Sequence, residues 1–148
     1  MNTDLEIWIA ADRERVFDAL TTQSGLDAWW GRCLAAEPKV GFVVELDHGL
    51  GGPLLFEITE LVPNERVVWR CVSDYDEPTN PAREWQGQQL TFALDERREV
   101  ALLGQPRDVT VLHFTQTWPE GARWRGFCSA AWGATLNGSL KEHCEEDA

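Results

Sequence analysis

Large, flat side chains are the most conspicuous chemistry in this sequence. The 148 residues include eight tryptophans and six phenylalanines but one tyrosine. Such rings make rigid apolar walls, and a buried indole N–H needs a hydrogen-bond partner, so tryptophan suits a pocket that is partly wet. Plain core packing is the alternative interpretation for any single ring. As a set, the rings predict at least one cavity large enough for a ligand.

The spacing of residues in the predicted strands and helices places some of these rings, and two glutamine amides, on the faces that point toward the core. Trp29 and Trp30 are adjacent and leave their helical turn about 100° apart. We therefore expect Trp29 in the core and Trp30 near the mouth of the cavity. The predicted ligand-binding residues are Trp30, Trp69, Gln88, Phe92, Phe114, Gln116, Trp118, Phe127, Trp132 and Leu136.

Groups suited to acid–base or metal chemistry are sparse. The four cysteines form no C-x-x-C pair and the three histidines no H-x-x-x-H spacing, so we expect no metal and no cofactor. His113 alternates with Phe114 and is expected to face solvent. Glu57 would be a general acid or base if it pointed into an apolar cavity, and an ordinary outward-facing glutamate if it did not. We name no catalytic residue.

The charge balance restricts the classes of partner. With 25 acidic and 13 basic residues the formal net charge is −12, which repels phosphate backbones and anionic lipids. We therefore expect no nucleic-acid and no membrane partner. No apolar run approaches the roughly 18 residues of a membrane span, and the first residues do not resemble a signal peptide. We expect one cytoplasmic domain over residues 1–148, as a monomer or a homodimer.

The first elements are a strand and two short helices. "DLEIWIA" alternates as a half-buried strand does, with Trp8 on its exposed side. Asp12 is a predicted cap for a helix over residues 13–21. A second short helix is predicted to begin at a Ser24 cap and to stop at Gly31.

The rest of the chain predicts about six strands and then one helix. "PLLFEITELVPNERVVWRCV" indicates a hairpin that turns at Pro63 and Asn64. "RREVALLGQPR" is either a loop or the flared tip of a hairpin, and "SDYDEPTNPARE" is a long polar connection. The last segment predicts an amphipathic helix of about 24 residues. Its glycines and alanines suggest either close backbone approach or room beneath the helix.

This order of elements predicts an α+β fold. Short connections favour antiparallel neighbours, so the strands should form a curved antiparallel sheet of six or seven strands. The final helix is the only element long enough to cover one face of that sheet. The two short helices would then fill the remaining end.

Several segments carry a resemblance to a known family. "IWIAADRERVFDALTTQSGLDAWWG" resembles the opening of the START-like helix-grip (SRPBCC) superfamily. "FEITELVPNERVVW", "WQGQQLTFAL" and "FCSAAWGATLNGSLKEH" are similar, in order, to later motifs of the homologues of the heat-shock-protein-90 ATPase activator. The resemblance implies a helix-grip fold, with a pocket between the curved sheet and the helix. Gln88 departs from the family pattern, and so does the stretch Gln116, Thr117 and Trp118. At both places the family pattern has side chains that should face the cavity.

Three functions follow as hypotheses. The first is a protein that binds a small apolar or aromatic ligand under the C-terminal helix. The second is a cyclase- or hydrolase-like enzyme that uses the same cavity. The third, regulation of a chaperone ATPase, is suggested by the family name, but the sequence resembles only the C-terminal part of those activators. We expect a binding protein rather than an enzyme.

Overall fold

One curved antiparallel sheet organises the molecule. The structure, a computed structural model, describes residues 2–47, 53–73, 84–102 and 105–146. Seven strands lie in the order β1-β7-β6-β5-β4-β3-β2, which confirms the predicted α+β sheet. The strands are β1 (Asn2–Ile9), β2 (Arg32–Ala35), β3 (Val43–Asp47), β4 (Pro53–Val62), β5 (Arg66–Cys71), β6 (Gln89–Leu102) and β7 (Gln105–Thr117).

The strand connections follow the chain. Each strand from β2 to β7 pairs with the next one, and β1 pairs with β7. Asn64 in the β4–β5 turn has a φ of 62°, a left-handed conformation that asparagine tolerates. Since β6 reaches Leu102 and β7 begins at Gln105, the segment "RREVALLGQPR" belongs to the tip of a hairpin and is not a separate loop. The predicted polar connection lies almost wholly in residues 74–83, outside the described residues.

Two short helices, α1 (Arg13–Thr21) and α2 (Gln23–Trp29), follow β1. Asp12 Oδ1 accepts a hydrogen bond from Arg15 N at 2.8 Å, as the predicted cap should. The predicted cap of α2, Ser24, is wrong. Thr22 has the extended backbone that a cap requires, and its hydroxyl accepts from Gly25 N at 3.0 Å. At Gly25 a Cβ would lie 2.4 Å from Asp18 O, so the tight junction of the two helices requires glycine.

The C-terminal helix is continuous over 21 residues. It comprises α3 (Arg125–Thr135), a π-helical turn (Leu136–Leu140) and α4 (Lys141–Glu145). On a straight α-helix a four-residue step overshoots one turn by about 40°, so a line of residues at that spacing winds around the helix. The wider π turn takes up this overshoot and returns the line to the sheet. The buried residues that form the line are Cys128, Trp132, Leu136, Leu140 and Cys144.

The small residues of this helix do not mark close backbone contact. A Cβ built at Gly126, Gly133 or Gly138 would meet no atom of the described residues within 4 Å. Of the two alternatives, close backbone approach is therefore wrong at these positions. No helix in the described ranges is long and apolar enough to span a membrane.

The C-terminal helix also covers the free edge of β1. Lys141 Nζ donates to Trp8 O at 2.8 Å, and Ala10 N donates to Glu145 Oε2 at 2.8 Å. The hydroxyls of Thr3 and Ser129 lie 2.5 Å apart. Trp8 O is thereby satisfied, and a helix that lies along an edge strand hinders its pairing with another sheet. The helix thus contacts the sheet edge as well as the inner face.

Candidate functional site

The inner face of the sheet is dominated by aromatic rings. Directly opposed residues of antiparallel strands share a face, and the register pairs Phe92 with Phe114 and Trp69 with Leu90. Trp132 of α3 packs onto them, with ring centroids 4.6 Å from Phe114 and 6.2 Å from Phe92. We call the connected rings, apart from Trp29 of α2, the interior aromatic cluster. Its members are Trp30, Phe56, Trp69, Trp85, Phe92, Phe114, Trp118 and Trp132.

Nine of the ten predicted site residues lie in or beside this cluster. Phe127 is the exception, because its side chain is 64% exposed. It precedes the buried Cys128 by one position, which turns it about 100° away from the sheet. Its expected inward placement is therefore wrong. The other nine are buried or, in the case of Trp30, partly buried.

Two rings of the cluster were not predicted. Phe56 stacks on Trp69 at 5.0 Å, and Trp85 stacks on Trp132 at 5.8 Å. The alternation of Leu54, Phe56 and Ile58 would have indicated the first. Trp85 follows the polar connection directly, so its surroundings in the sequence suggest a loop residue.

A chain of amides leads from the cluster to the start of the C-terminal helix. Gln116 Nε2 donates to Gln88 Oε1 at 2.6 Å, and Gln88 Nε2 donates to Glu84 O at 2.5 Å. The Glu84 carboxylate in turn accepts from Arg123 N at 2.6 Å and Trp124 N at 2.7 Å. Those N–H groups precede a helix that has no side-chain cap of its own. Glu84 therefore anchors the two residues that lead into α3 and fixes the amide chain to that segment.

Some polar atoms of the interior have no partner. Within the described residues, Trp69 Nε1, Trp85 Nε1, Trp132 Nε1 and Gln116 Oε1 of the cluster region are buried without a nitrogen or oxygen partner. Of these atoms, Trp85 Nε1 faces the thiol of Cys128 and is not counted as available. Other indoles are satisfied: Trp29 Nε1 donates to Ala19 O at 2.6 Å and Trp118 Nε1 to Thr3 Oγ1 at 2.8 Å. A buried unsatisfied polar group costs about 1–3 kcal/mol. The interior therefore retains two donors and one acceptor that a ligand can use.

Trp30 lies at the rim of the cluster. It is partly buried, its ring lies 5.5 Å from that of Trp132, and its Nε1 donates to Asp47 O over 3.3 Å. Trp29 beside it is 3% exposed and meets Trp30 edge-on at 5.8 Å. The adjacent tryptophans thus divide, with Trp29 in the core as expected and Trp30 at the rim of the aromatic cluster.

Acid–base groups do not line the described interior. The buried polar residues there are threonine, serine and glutamine, and the described residues include no buried carboxylate, histidine, lysine or arginine. Glu57 shares its face with Arg70 on the outer side of the sheet, and the His113 side chain is 46% exposed. No group of three or more histidines, cysteines or acidic residues with metal-binding geometry occurs in the described part of the chain.

The thiols are equally unreactive. All four cysteines are free and buried. Burial raises the pKa of each thiol, and it raises that of Cys144 to about 12, although the charge of Arg15 opposes the shift. Since a thiolate is the nucleophile, none of these groups is primed for covalent chemistry at neutral pH.

An open groove of about 660 Å³ lies elsewhere, on the outside of α1 and α2. It contains none of the aromatic cluster. Its polar lining includes Asp12, Glu14, Arg15, Asp18 and His143. Shape alone would favour this groove as a binding site, but its lining is polar and open to solvent, and the unpartnered interior atoms lie in the cluster.

These features define the class of the protein. A curved antiparallel sheet wrapped on a long C-terminal helix, with two short helices after the first strand, is the helix-grip fold. The sequence matches the profile of one family of that class over residues 10–145. The chain belongs to this family, described as Activator of Hsp90 ATPase homolog 1-like protein.

Solved structures share this fold. The solution structure of the Aha1 dimer from Colwellia psychrerythraea is 29% identical, with a TM-score of 0.75 over 98% of this chain and 96% of that one. Protein MLL2253 from Mesorhizobium loti is 18% identical, with a TM-score of 0.76 over 100% and 99% of the two chains. The AHSA1-like protein from Aeromonas hydrophila is 14% identical, with a TM-score of 0.67 over 99% and 94%. No curated protein matches the chain.

Proposed function

We propose that this protein binds a small, flat, apolar or aromatic molecule between the curved sheet and the C-terminal helix. The observation that carries the proposal is the set of unpartnered atoms, Trp69 Nε1, Trp132 Nε1 and Gln116 Oε1, within an otherwise apolar cluster. A carbonyl or hydroxyl oxygen on the ligand would accept from either indole. A ligand N–H or O–H would donate to the glutamine.

The energetics favour a ligand that combines a ring with one such polar atom. Each satisfied group recovers about 1–3 kcal/mol, and a well-placed ring adds about 0.5–1.5 kcal/mol per aromatic contact. A buried carboxylate or ammonium would meet no countercharge among the described buried residues. The site therefore selects against charged ligands.

Entry of a ligand requires some side chains to move. The rings of the cluster touch, with centroids 4.6 to 6.5 Å apart. Trp30 is the member that can swing outward at the lowest cost, because it is partly exposed and its hydrogen bond to Asp47 O is long. We infer that it controls access to the cluster.

A matched pair of probes tests the proposal. Fluorenone and fluorene differ by one carbonyl, so their affinities separate the hydrogen bond from burial of the ring. We expect fluorenone to bind the wild-type protein about tenfold more tightly, which corresponds to about 1.4 kcal/mol. Titration calorimetry gives the affinities, and the indole N–H signals in an NMR spectrum show which tryptophans respond.

Three variants complete the test. Trp69→Phe and Trp132→Phe keep a ring but remove an N–H, and we expect at least one of them to abolish the preference for fluorenone while fluorene still binds. Trp8→Phe, on the exposed side of β1, is the control. If neither probe binds more tightly than millimolar, ligand binding is refuted. An unchanged preference in both interior variants refutes the role of the indoles.

We also propose that the protein forms a homodimer. The support is its likeness to the dimer from Colwellia psychrerythraea, at 29% identity and nearly complete mutual coverage. Light scattering coupled to size-exclusion chromatography, over a range of protein concentrations, tests this directly. A monomer at every concentration would contradict it.

A further inference from the structure

We propose that two copies of the chain pair through the outer face of the C-terminal helix, with the two helices antiparallel. This inference locates the contact of the dimer proposed above and does not depend on ligand binding. We call the surface the outer stripe. From one end to the other it consists of Arg123, Phe127, Ala130, Ala134, Asn137, Glu142 and Glu146, all exposed.

The outer stripe has an apolar centre. Phe127 is 64% exposed, the highest value among the large hydrophobic residues in the described ranges, and Ala130 and Ala134 are exposed as well. The positions 127, 130, 134 and 137 are spaced by three, four and three residues, so they lie on one side of the helix. This spacing is that of the contact line between paired helices. The buried line that begins at Cys128 faces the sheet instead. The helix therefore has two separate contact surfaces, one toward the sheet and one toward solvent.

The contact residues suit a close helix pair. Alanine at two of the four central positions allows two helices to approach closely, and Phe127 supplies the large side chain that inserts. Trp124 supports Phe127 from the side, with its ring edge-on at 6.0 Å. Beside Gly138, a Cβ would meet no described atom within 4 Å, which leaves open space for the ring of a second copy.

The charges of the outer stripe determine that the two helices run antiparallel. Arg123 precedes α3 by two positions and lies at one end, with its guanidinium 5.1 Å from the centre of the Trp124 ring; Glu142 and Glu146 lie at the other end. An antiparallel pair brings Arg123 beside the partner's Glu146, whereas a parallel pair would put the two glutamate ends together. In a two-fold dimer each such contact occurs twice. The two-fold axis would then pass near Ala134.

The expected dimer is weak. One pair of helices falls at or below the roughly 1,200 Å² of total buried area that marks the lower limit of stable interfaces, so we expect a dissociation constant of about 1–100 μM. Sedimentation velocity over that concentration range measures it. We expect Phe127→Ala to weaken the dimer at least tenfold. Trp8→Ala removes another exposed aromatic ring and should leave the dissociation constant unchanged.

A charge exchange tests the direction. Arg123→Glu should weaken the dimer, and Arg123→Glu combined with Glu146→Arg should restore it. Ala134→Cys should form a disulfide between subunits on mild oxidation, because position 134 lies next to the axis. Phe127→Cys should not, since its two copies would lie roughly 20 Å apart at 1.5 Å of rise per residue. The native thiols, all buried, do not interfere.

The outcomes separate the two dimer proposals. A wild-type protein that stays monomeric at every concentration refutes both. A dimer that survives Phe127→Ala unchanged refutes the outer stripe as its contact and leaves the homodimer standing. A disulfide in Phe127→Cys but not in Ala134→Cys contradicts the antiparallel arrangement.

Discussion

Arg15 of α1 caps the end of the C-terminal helix by donating to Cys144 O through Nε at 2.6 Å. Its Nη2 atom also donates to His143 O at 2.9 Å and to Glu146 O at 2.7 Å. The last carbonyls of a helix have no partner within the helix, and a positive charge there also suits the helix dipole. One side chain near the N-terminus of the chain thus holds its last helix in place.

Replacing Arg15 should therefore destabilise the whole fold. We expect Arg15→Met, which keeps much of the aliphatic stem, to lower the free energy of unfolding by about 2–3 kcal/mol because hydrogen bonds to charged groups are lost. Urea denaturation followed by circular dichroism measures this. Arg13→Met, two positions earlier in the same helix, is the control and should change stability by at most about 0.5 kcal/mol. Equal losses in the two variants would show that capping is not the cause.

The paired tryptophans should respond differently to truncation. Trp29 is 3% exposed and donates to Ala19 O, so Trp29→Ala should cost about 3–5 kcal/mol of stability. Trp30 is partly buried and has one long hydrogen bond, so Trp30→Ala should cost clearly less and should instead speed the binding and release of an interior probe. Thermal unfolding and stopped-flow fluorescence measure the two effects. Equal loss of stability would contradict this division.

The parts of the fold that depend on local signals could be predicted from the sequence. Asp12 and the spacing after it give α1 its observed bounds, since a cap and one apolar face are properties of neighbouring residues. The antiparallel pairing of hairpin neighbours such as β4 and β5 also follows from short connections, whereas the pairing of β1 with β7 does not. The π turn could not be predicted, because no residue within Leu136–Leu140 demands it. It arises from tertiary packing, which keeps the buried line against the sheet.

The site was harder to predict because a helix can carry two apolar seams. The spacing of three and four in Trp124, Phe127 and Ala131 is typical of a buried helix face and places Phe127 wrongly against the sheet, whereas the observed buried line repeats every four residues. Glu84 was missed for a related reason. It binds Arg123 N and Trp124 N just before α3, about forty positions further along the chain, and no local pattern in the sequence indicates such a contact.

Glu145 should make stability depend on pH in the acid range. Burial alone would raise the pKa of this carboxyl, but hydrogen bonds from Lys141 and Ala10 N, with the nearby positive charge, outweigh burial and lower it. A lowered pKa in the folded state contributes stability above the pKa of free glutamate, about 4.3. That contribution is lost as the pH falls through the folded-state pKa.

Glu145→Gln isolates this charge because it keeps an oxygen that can accept from Ala10 N. We expect the variant to be less stable than wild type by about 1 kcal/mol at pH 7, with the difference shrinking as the pH falls below about 4. Chemical denaturation at several pH values gives the comparison. Glu37→Gln, an exposed residue before β3, should show no such trend. A difference that stays constant with pH would mean that packing rather than charge is responsible.

The thiols should report on opening of the C-terminal helix. Cys144 is fully buried against α1, and burial raises its pKa to about 12. At pH 8 the folded thiol is therefore protonated and shielded, whereas an unfolded cysteine with a pKa of about 8.5 is partly ionised. We expect Ellman's reagent to label Cys144 only as fast as the helix detaches, and Arg15→Met to accelerate that labelling by at least tenfold.

Peptide mapping after partial labelling assigns the site, and Cys71 on β5, far from the Arg15 cap, is the internal control. Rapid labelling of Cys144 in the wild type would show that the last turn is open in solution and that the Arg15 cap does not hold it.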